Sequence, residues 1–151
     1  VNGIDFQAAY RWEWGDWRLD AGVNGSYFLK YDFEAVPGAG FADVLNTIAF
    51  PQKFRMQADA GIAYGKVRTR LIWNHLSGYQ NTTVTPAQDV AALDTFDLFV
   101  GFDVNETLTF AGEVRNLFYR DHPFVDTNFG YDPHAANALP RIFRFTARAK
   151  F

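Results

Sequence analysis

The feature that most constrains this chain is an alternation of apolar and polar residues, sustained over long stretches and repeated from one end to the other. Near the end, in FRFTARAKF, residues Phe143, Phe145, Ala147, Ala149 and Phe151 take one side of an extended strand, while Arg144, Thr146, Arg148 and Lys150 take the other. Successive side chains of a strand point to opposite faces, so a period of two predicts β-structure. In IDFQAAYRWEW the same rule sets Ile4, Phe6, Ala8, Tyr10, Trp12 and Trp14 against Asp5, Gln7, Arg11 and Glu13. The next run sets Trp17, Leu19, Ala21, Val23, Tyr27, Leu29, Tyr31 and Phe33 against Arg18, Asp20, Asn24, Ser26, Lys30 and Asp32, with Phe28 alone out of step.

The pattern predicts seven strands in all. Phe54, Met56, Ala58, Ala60, Ile62 and Tyr64 oppose Lys53, Arg55, Gln57, Asp59 and Gly61 in the third. Val67, Leu71 and Trp73 oppose Arg68, Arg70 and Asn74 in the fourth. Phe96, Leu98, Val100, Phe102 and Val104 oppose Asp97 and Asp103 in the fifth, and Leu108, Phe110 and Val114 oppose Glu113 and Arg115 in the sixth. Gly15-Asp16, Gly65-Lys66 and Asn105-Glu106 read as tight hairpin turns, whereas Val36 to Pro51, Gln80 to Asp94 and Arg120 to Pro140 read as long loops.

Composition removes several alternatives. The 151 residues are 48 % hydrophobic, yet no stretch approaches the roughly 18 apolar residues a membrane helix requires. There is no cysteine, so neither a disulfide nor a thiolate metal site is available. The net charge of −3 is spread in mixed signs, without the basic tract that phosphate neutralisation calls for, so nucleic acid is not an expected partner. Nothing divides the chain, and residues 1–151 read as one unit. The opening VNGIDFQAAY lacks the charged start and apolar core of a signal peptide, so the expectation is that such a segment has been removed or that the chain is a piece of something longer.

Long strands joined alternately by short turns and long loops differ from a soluble sandwich, whose strands average about five or six residues. They are the pattern of a transmembrane antiparallel β-barrel, apolar toward lipid and polar toward the interior. Rings are predicted to gather at two levels, where amphipathic aromatics meet the membrane interfaces. Trp12, Trp14, Trp17 and Tyr64 lie by the short turns, and Tyr27, Tyr31, Trp73 and Tyr79 lie toward the long loops. The expected lumen-facing charges are Arg18, Asp20, Lys30, Asp32, Arg55, Asp59, Arg68, Arg70, Asp97, Asp103, Glu113, Arg115, Arg144 and Arg148, paired along the wall.

The end of the chain resembles a known family. Its last strand, with Phe143, Phe145, Ala147, Ala149 and a terminal Phe151, is similar to the C-terminal assembly signal of bacterial outer-membrane proteins. Asn116-Leu117-Phe118, Gly130-Tyr131-Asp132-Pro133 and WNHLSGY from Trp73 to Tyr79 resemble the closing segment of TonB-dependent receptors, although Pro140 stands where that pattern has glycine before Arg141. The resemblance implies energy-coupled uptake of a scarce nutrient such as a siderophore, another metal chelate, cobalamin or an oligosaccharide. The implied partners are the remainder of the barrel and its plug, outer-membrane lipid, the TonB system acting through the plug, and the barrel-assembly machinery. The implied site is the bacterial outer membrane, with no cofactor and no enzymatic activity.

Seven strands do not close an even-numbered barrel with both termini on one side. The expectation is therefore the C-terminal third of a plugged barrel of about 22 strands, with the plug absent from this chain. The alternative is a small self-contained barrel with a structural, adhesive or lipid-modifying role, which needs an eighth strand. The unassigned GAGFADVLNTIAF does not alternate and reads as a loop packed on the rim. His75 and Ser77 share the apolar side, but a hydrolase also needs an orienting third group and an oxyanion hole. Asp121, His122, Asp126, Asp132 and His134 could bind a cation, though turns require the same residue types. Asn81-Thr82-Thr83 fits a glycosylation acceptor that carries little meaning in this setting.

Overall fold

The computed structural model describes residues 1–135 and 140–150. The terminal ring of Phe151 therefore lies outside the described residues. In chain order the strands are β1 (Asn2–Trp14), β2 (Trp17–Lys30), β3 (Asp32–Phe33), β4 (Ala42–Asp43), β5 (Phe54–Tyr64), β6 (Val67–Leu76), β7 (Tyr79–Asn81), β8 (Gln88–Val90), β9 (Leu93–Asp103), β10 (Leu108–Arg115) and β11 (Ile142–Ala149). The architecture is all-β. Seven strands form one antiparallel sheet in the order β1-β2-β5-β6-β9-β10-β11, and two small ribbons, β3-β4 and β7-β8, stand outside it. Each long strand is bonded to its neighbours in sequence, so the sheet is a simple meander. It is open, with β1 and β11 at its edges, and these two run in the same direction because the strand number is odd.

Local chemistry explains the turns. Trp14 pairs with Trp17 and Tyr64 with Val67, leaving two-residue connections in which Gly15 and Gly65 take φ of 56° and 52°. Left-handed backbone at the first turn position is what matches a hairpin to the twist of its strands. The third connection is wider than the predicted Asn105-Glu106 turn. Asp103 pairs with Thr109, the Val104 amide donates to the Leu108 carbonyl, and Asn105 Oδ1 accepts the amides of Thr107 and Leu108. An asparagine side chain here orders the turn that a left-handed glycine makes in the other two.

Register keeps the two faces separate across the whole sheet. One row runs Tyr10, Ala21, Ala60, Leu71, Leu98, Val114, Phe143, and the next row on the other face runs Arg11, Asp20, Gly61, Arg70, Phe99, Glu113, Arg144. The apolar face is bare: Phe145 is 84 % exposed and Tyr10 71 %. Such an area is far larger than soluble monomers leave uncovered.

The β1–β2 ladder departs from the predicted alternation at its loop end. Gly3 pairs with Phe28 but Asn2 pairs with Lys30, so Leu29 is an extra residue. This bulge breaks the period. Phe28 stays on the polar side, where the Arg55 guanidinium lies 5.7 Å from its ring centre. Lys30 and Asp32 are not part of the regular charged face. They form a 3.0 Å ion pair where β2 gives way to the β3-β4 ribbon.

The cluster of buried residues lies outside the large sheet, in the long loops, and Leu93 at the start of β9 is buried as well. Tyr79, Val90 and Val125 form the cluster, with Ile48 and Ala135 packed alongside. The stretch predicted as a rim-packing loop supplies Ile48, together with the short strand β4.

Candidate functional site: a charged face under a loop cap

The polar face is organised around cations that reach across strands. Arg70, on β6, bonds Asp59 on β5 and also Asp20 on β2. To reach β2 it must cross β5, and the residue it crosses is Gly61, its direct register partner. The same glycine faces Asp20, and a Cβ there would stand 2.8 Å from Asp20 Oδ1. Gly22 faces Asp59 in the same way, again with 2.8 Å to a carboxylate oxygen. The missing side chains leave the channel in which this triad lies flat on the sheet.

A second cluster lies nearer the short turns. Arg68 makes a two-pronged contact with Asp103, 2.8 Å and 3.1 Å, leaning over its register partner Gly101, while Thr109 donates to the same carboxylate at 2.7 Å. Toward the sheet edge Glu113 accepts Arg115 Nε at 2.6 Å and Arg144 at 3.3 Å, and Arg18 bonds Glu13 at 3.1 Å. Asp97 accepts Asn74 at 3.1 Å and the Asn116 amide at 2.8 Å. Arg55 and Arg148 share this face by register, although neither forms an ion pair with a described carboxylate. A planar, always-charged fork suits such bridging between carboxylates.

Three long loops close over the polar side at one end. Ile48 donates its amide to Gln80 and Gln80 to Asn46, at 2.8 Å and 2.9 Å, which ties the first loop to the second. Asn81, fully buried, donates to the Asp126 carbonyl at 3.1 Å and accepts from Thr83, which ties the second to the third. Ala49 donates to Asp132 at 3.2 Å, closing the circuit. Leu76 and Leu93, polar-side residues by register, line a small cavity beneath with Tyr79, His122, Tyr131 and Asp132. The cap thus folds inward over the polar face.

Tyr79 was expected among exposed interfacial rings, and the structure corrects this. It is 6 % exposed, in the centre of the cap. Burial, and then the neighbouring Asp132 carboxylate, push its hydroxyl pKa well above the usual tyrosine range. Tyr31 also leaves the predicted belt for the cap, packing on Phe50 at 6.1 Å. Close by, the amides of Leu45 and Tyr31 hold the Asp43 carboxyl below its ordinary value. Of the last-loop acids considered as cation ligands, Asp132 uses its oxygens on the Ala49 and His134 amides, as a turn residue does.

The remaining rings stand at the two ends of the apolar face. Trp17 and Tyr64 pack at 4.3 Å and Trp12 stacks with Trp14 at 6.3 Å beside the short turns. Tyr27 with Phe54 and Trp73 with Phe96 form the opposite rank, at 6.3 Å and 6.2 Å. Ala8, Ala21, Ala58, Ala60 and Val23 occupy the ground between.

One ionisable pair interrupts this face. Asp94 accepts His75 Nδ1–H at 2.8 Å and Trp73 Nε1–H at 2.7 Å. Sequence reasoning found no orienting group for His75, because Asp94 lies directly across a ladder whose register is set far from either residue. Ser77, in turn, accepts the Phe54 amide at 3.1 Å, and no hydrogen bond joins it to His75 among the described residues.

Comparison of the chain with protein-family models, with curated proteins and with solved structures finds no match.

Proposed function

We propose that this chain is the C-terminal wall of a TonB-dependent outer-membrane receptor, a segment of a larger plugged β-barrel that takes up a scarce nutrient by energy-coupled transport. The observation that carries this reading is the apolar face. It is continuous over seven strands, is uncovered, and has aromatic ranks at both ends. From Trp17 to Tyr27 is ten residue steps on β2, about 33 Å along the strand. At the usual barrel tilt of about 40° this projects to about 25 Å, the height of a lipid-facing band.

The opposite face carries both signs of charge, paired and hydrated, as a wet or plug-filled interior permits. Lipid on one side and water on the other is the environment in which a single layer of sheet needs no second layer. The two open edges leave room for the remainder of the barrel. Uptake, rather than catalysis, follows from the family resemblance of Asn116-Leu117-Phe118 and the last strand.

The test is the intact mass of the natural protein, extracted gently from outer membranes and compared before and after denaturation. Recovery of these residues within a polypeptide several times their 17.1 kDa supports the receptor. A heat-modifiable species of that mass alone replaces it with a small independent barrel.

A further inference from the structure

Between the charged clusters and the cap, the polar face carries one row without charge. Gln7, Asn24, Gln57, Asn74 and Thr95 are successive register partners on β1, β2, β5, β6 and β9. Leu76 and Leu93, which line the cavity beneath the cap, lie one row nearer the loops. A solute that passes the cap meets the neutral row next.

The row is only partly spent on itself. Gln57 donates to Asn74 at 2.8 Å, and Asn74 donates to Asp97 at 3.1 Å and to Thr95 at 3.4 Å. Gln7 and Asn24 are exposed, and among the described residues neither side chain has a hydrogen-bond partner. An amide offers two donors and an oxygen with two lone pairs, so much of this capacity faces the interior unused. Asp5, Gln7, Asn24, Ser26, Arg55 and Gln57 together line one hollow there.

The flanking rows do not ask for a charged ligand. Their acids are each occupied: Asp5 accepts Ser26 at 2.5 Å, Asp59 accepts Arg70, and Asp97 accepts Asn74 and the Asn116 amide. Arg70 is bonded to two carboxylates already, and the Arg55 guanidinium rests 5.7 Å from the centre of the Phe28 ring. Phe28 itself is an apolar ring on the wet face, leaning over β1 so closely that a Cβ on Gly3 would stand 3.2 Å from it. Amides for hydroxyl groups and a ring face for C–H groups are what a sugar requires.

We propose that the row from Gln7 to Thr95 binds a neutral oligosaccharide lying across the strands, with Phe28 as a platform at one end. This inference rests on the receptor reading and names its cargo. Neighbouring strands are about 4.8 Å apart, close to the advance of one pyranose unit in an extended glycan, so five strands span about 19 Å and match about four units. Each amide meets the hydroxyl groups of one unit, donating through its NH2 and accepting through its oxygen.

The test uses the intact receptor purified from outer membranes and placed in nanodiscs, so that no sugar-headed detergent competes. Titration calorimetry follows neutral malto-, cello-, xylo- and manno-oligosaccharides of two to six units, beside an anionic catecholate iron chelate, a cationic hydroxamate iron chelate and cyanocobalamin. At least one neutral series is expected to bind, with affinity rising up to about four units and then levelling, as the span of the row requires. Each lost hydrogen bond costs roughly fivefold, so Q7A/N24A is expected to weaken that binding about 25-fold. R148Q, on the same face at the far end, is expected to leave it unchanged, as is raising salt to about 0.5 M, which weakens attraction between exposed charges.

Failure of every neutral series to bind, tighter binding of a chelate or of cyanocobalamin, undiminished binding by Q7A/N24A, or an equal loss in R148Q overturns the proposal. Heat-modifiable migration of every variant separates these outcomes from failure to fold. An intact receptor that prefers a charged chelate overturns the cargo alone, whereas recovery of these residues only as a chain of their own mass overturns the receptor reading with it.

Discussion

Replacing Arg70 by leucine removes the cation that, among the described residues, bridges Asp20 and Asp59. The three side chains are 41 %, 26 % and 19 % exposed, so the cluster is neither dry nor free in water. Two carboxylates left about 6 Å apart repel by about 3 kcal/mol at an effective dielectric of 20. Hydration and counterions reduce this to about 1–2 kcal/mol, and the lost attraction adds about 1. The expected deficit for Arg70→Leu is therefore about 2–3 kcal/mol at neutral pH and low salt. It is measured by urea unfolding of the protein in detergent or bilayers, followed by tryptophan fluorescence. The triple variant D20N/D59N/R70L keeps the space and removes the repulsion, and should recover about 1–2 kcal/mol. High salt should shrink the single variant's deficit but leave the triple unchanged. A triple variant as unstable as the single one would refute the electrostatic account and leave lost packing as the cause.

Other consequences are as specific. Gly61→Val should cost about 1–3 kcal/mol, because its Cβ meets Asp20 at 2.8 Å, whereas Gly112→Ala, whose nearest neighbour is 3.9 Å away, should be tolerated in the same unfolding assay. Ala60→Arg, between Ala21 and Leu71 at mid-height of the apolar face, should cost about 2–4 kcal/mol in a bilayer, while Asn24→Arg on the other face should change stability by less than about 0.5. Tyr79 should stay protonated at a pH where exposed tyrosines ionise, as read by absorbance near 295 nm. Its folded pKa is raised, so its contribution is intact below the unfolded value of about 10 and is lost as pH climbs from there through the folded value. Tyr79→Phe should abolish that dependence and cost about 1 kcal/mol by removing the hydroxyl that faces Asp132.

Most of the sheet was legible because each strand meets two different environments, and period two records that directly. The expected third strand, from Lys53 to Tyr64, matches β5 except at its first residue, and the sixth, from Leu108 to Arg115, matches β10 to the residue. Features that depend on distant residues were not legible. Phe28 marks a break in the alternation, but that Leu29 is an extra residue is defined by Asn2 and Gly3 across the ladder, and the charges beyond it therefore leave the face that period two assigns them. Tyr79 reads equally as an interfacial ring or a core ring until Val125 and Asp132, from another loop, come to rest on it. The bridging role of Arg70 was hidden for a related reason. Its charge was plain, but the opening that lets it cross β5 is the absence of a side chain at Gly61.

That opening ties the history of two positions together. While Asp20 keeps its place, any larger residue at position 61 strikes its carboxylate, so enlarging position 61 is least costly once position 20 has shortened or turned away. Once 61 has grown, an aspartate returning to 20 finds its place taken. The two substitutions are individually ordinary but cost less in one order than in the other, and the pair Gly22 and Asp59 repeats the constraint on the same face. Among descendants of this chain the four positions should change as linked sets, with glycine the last to leave.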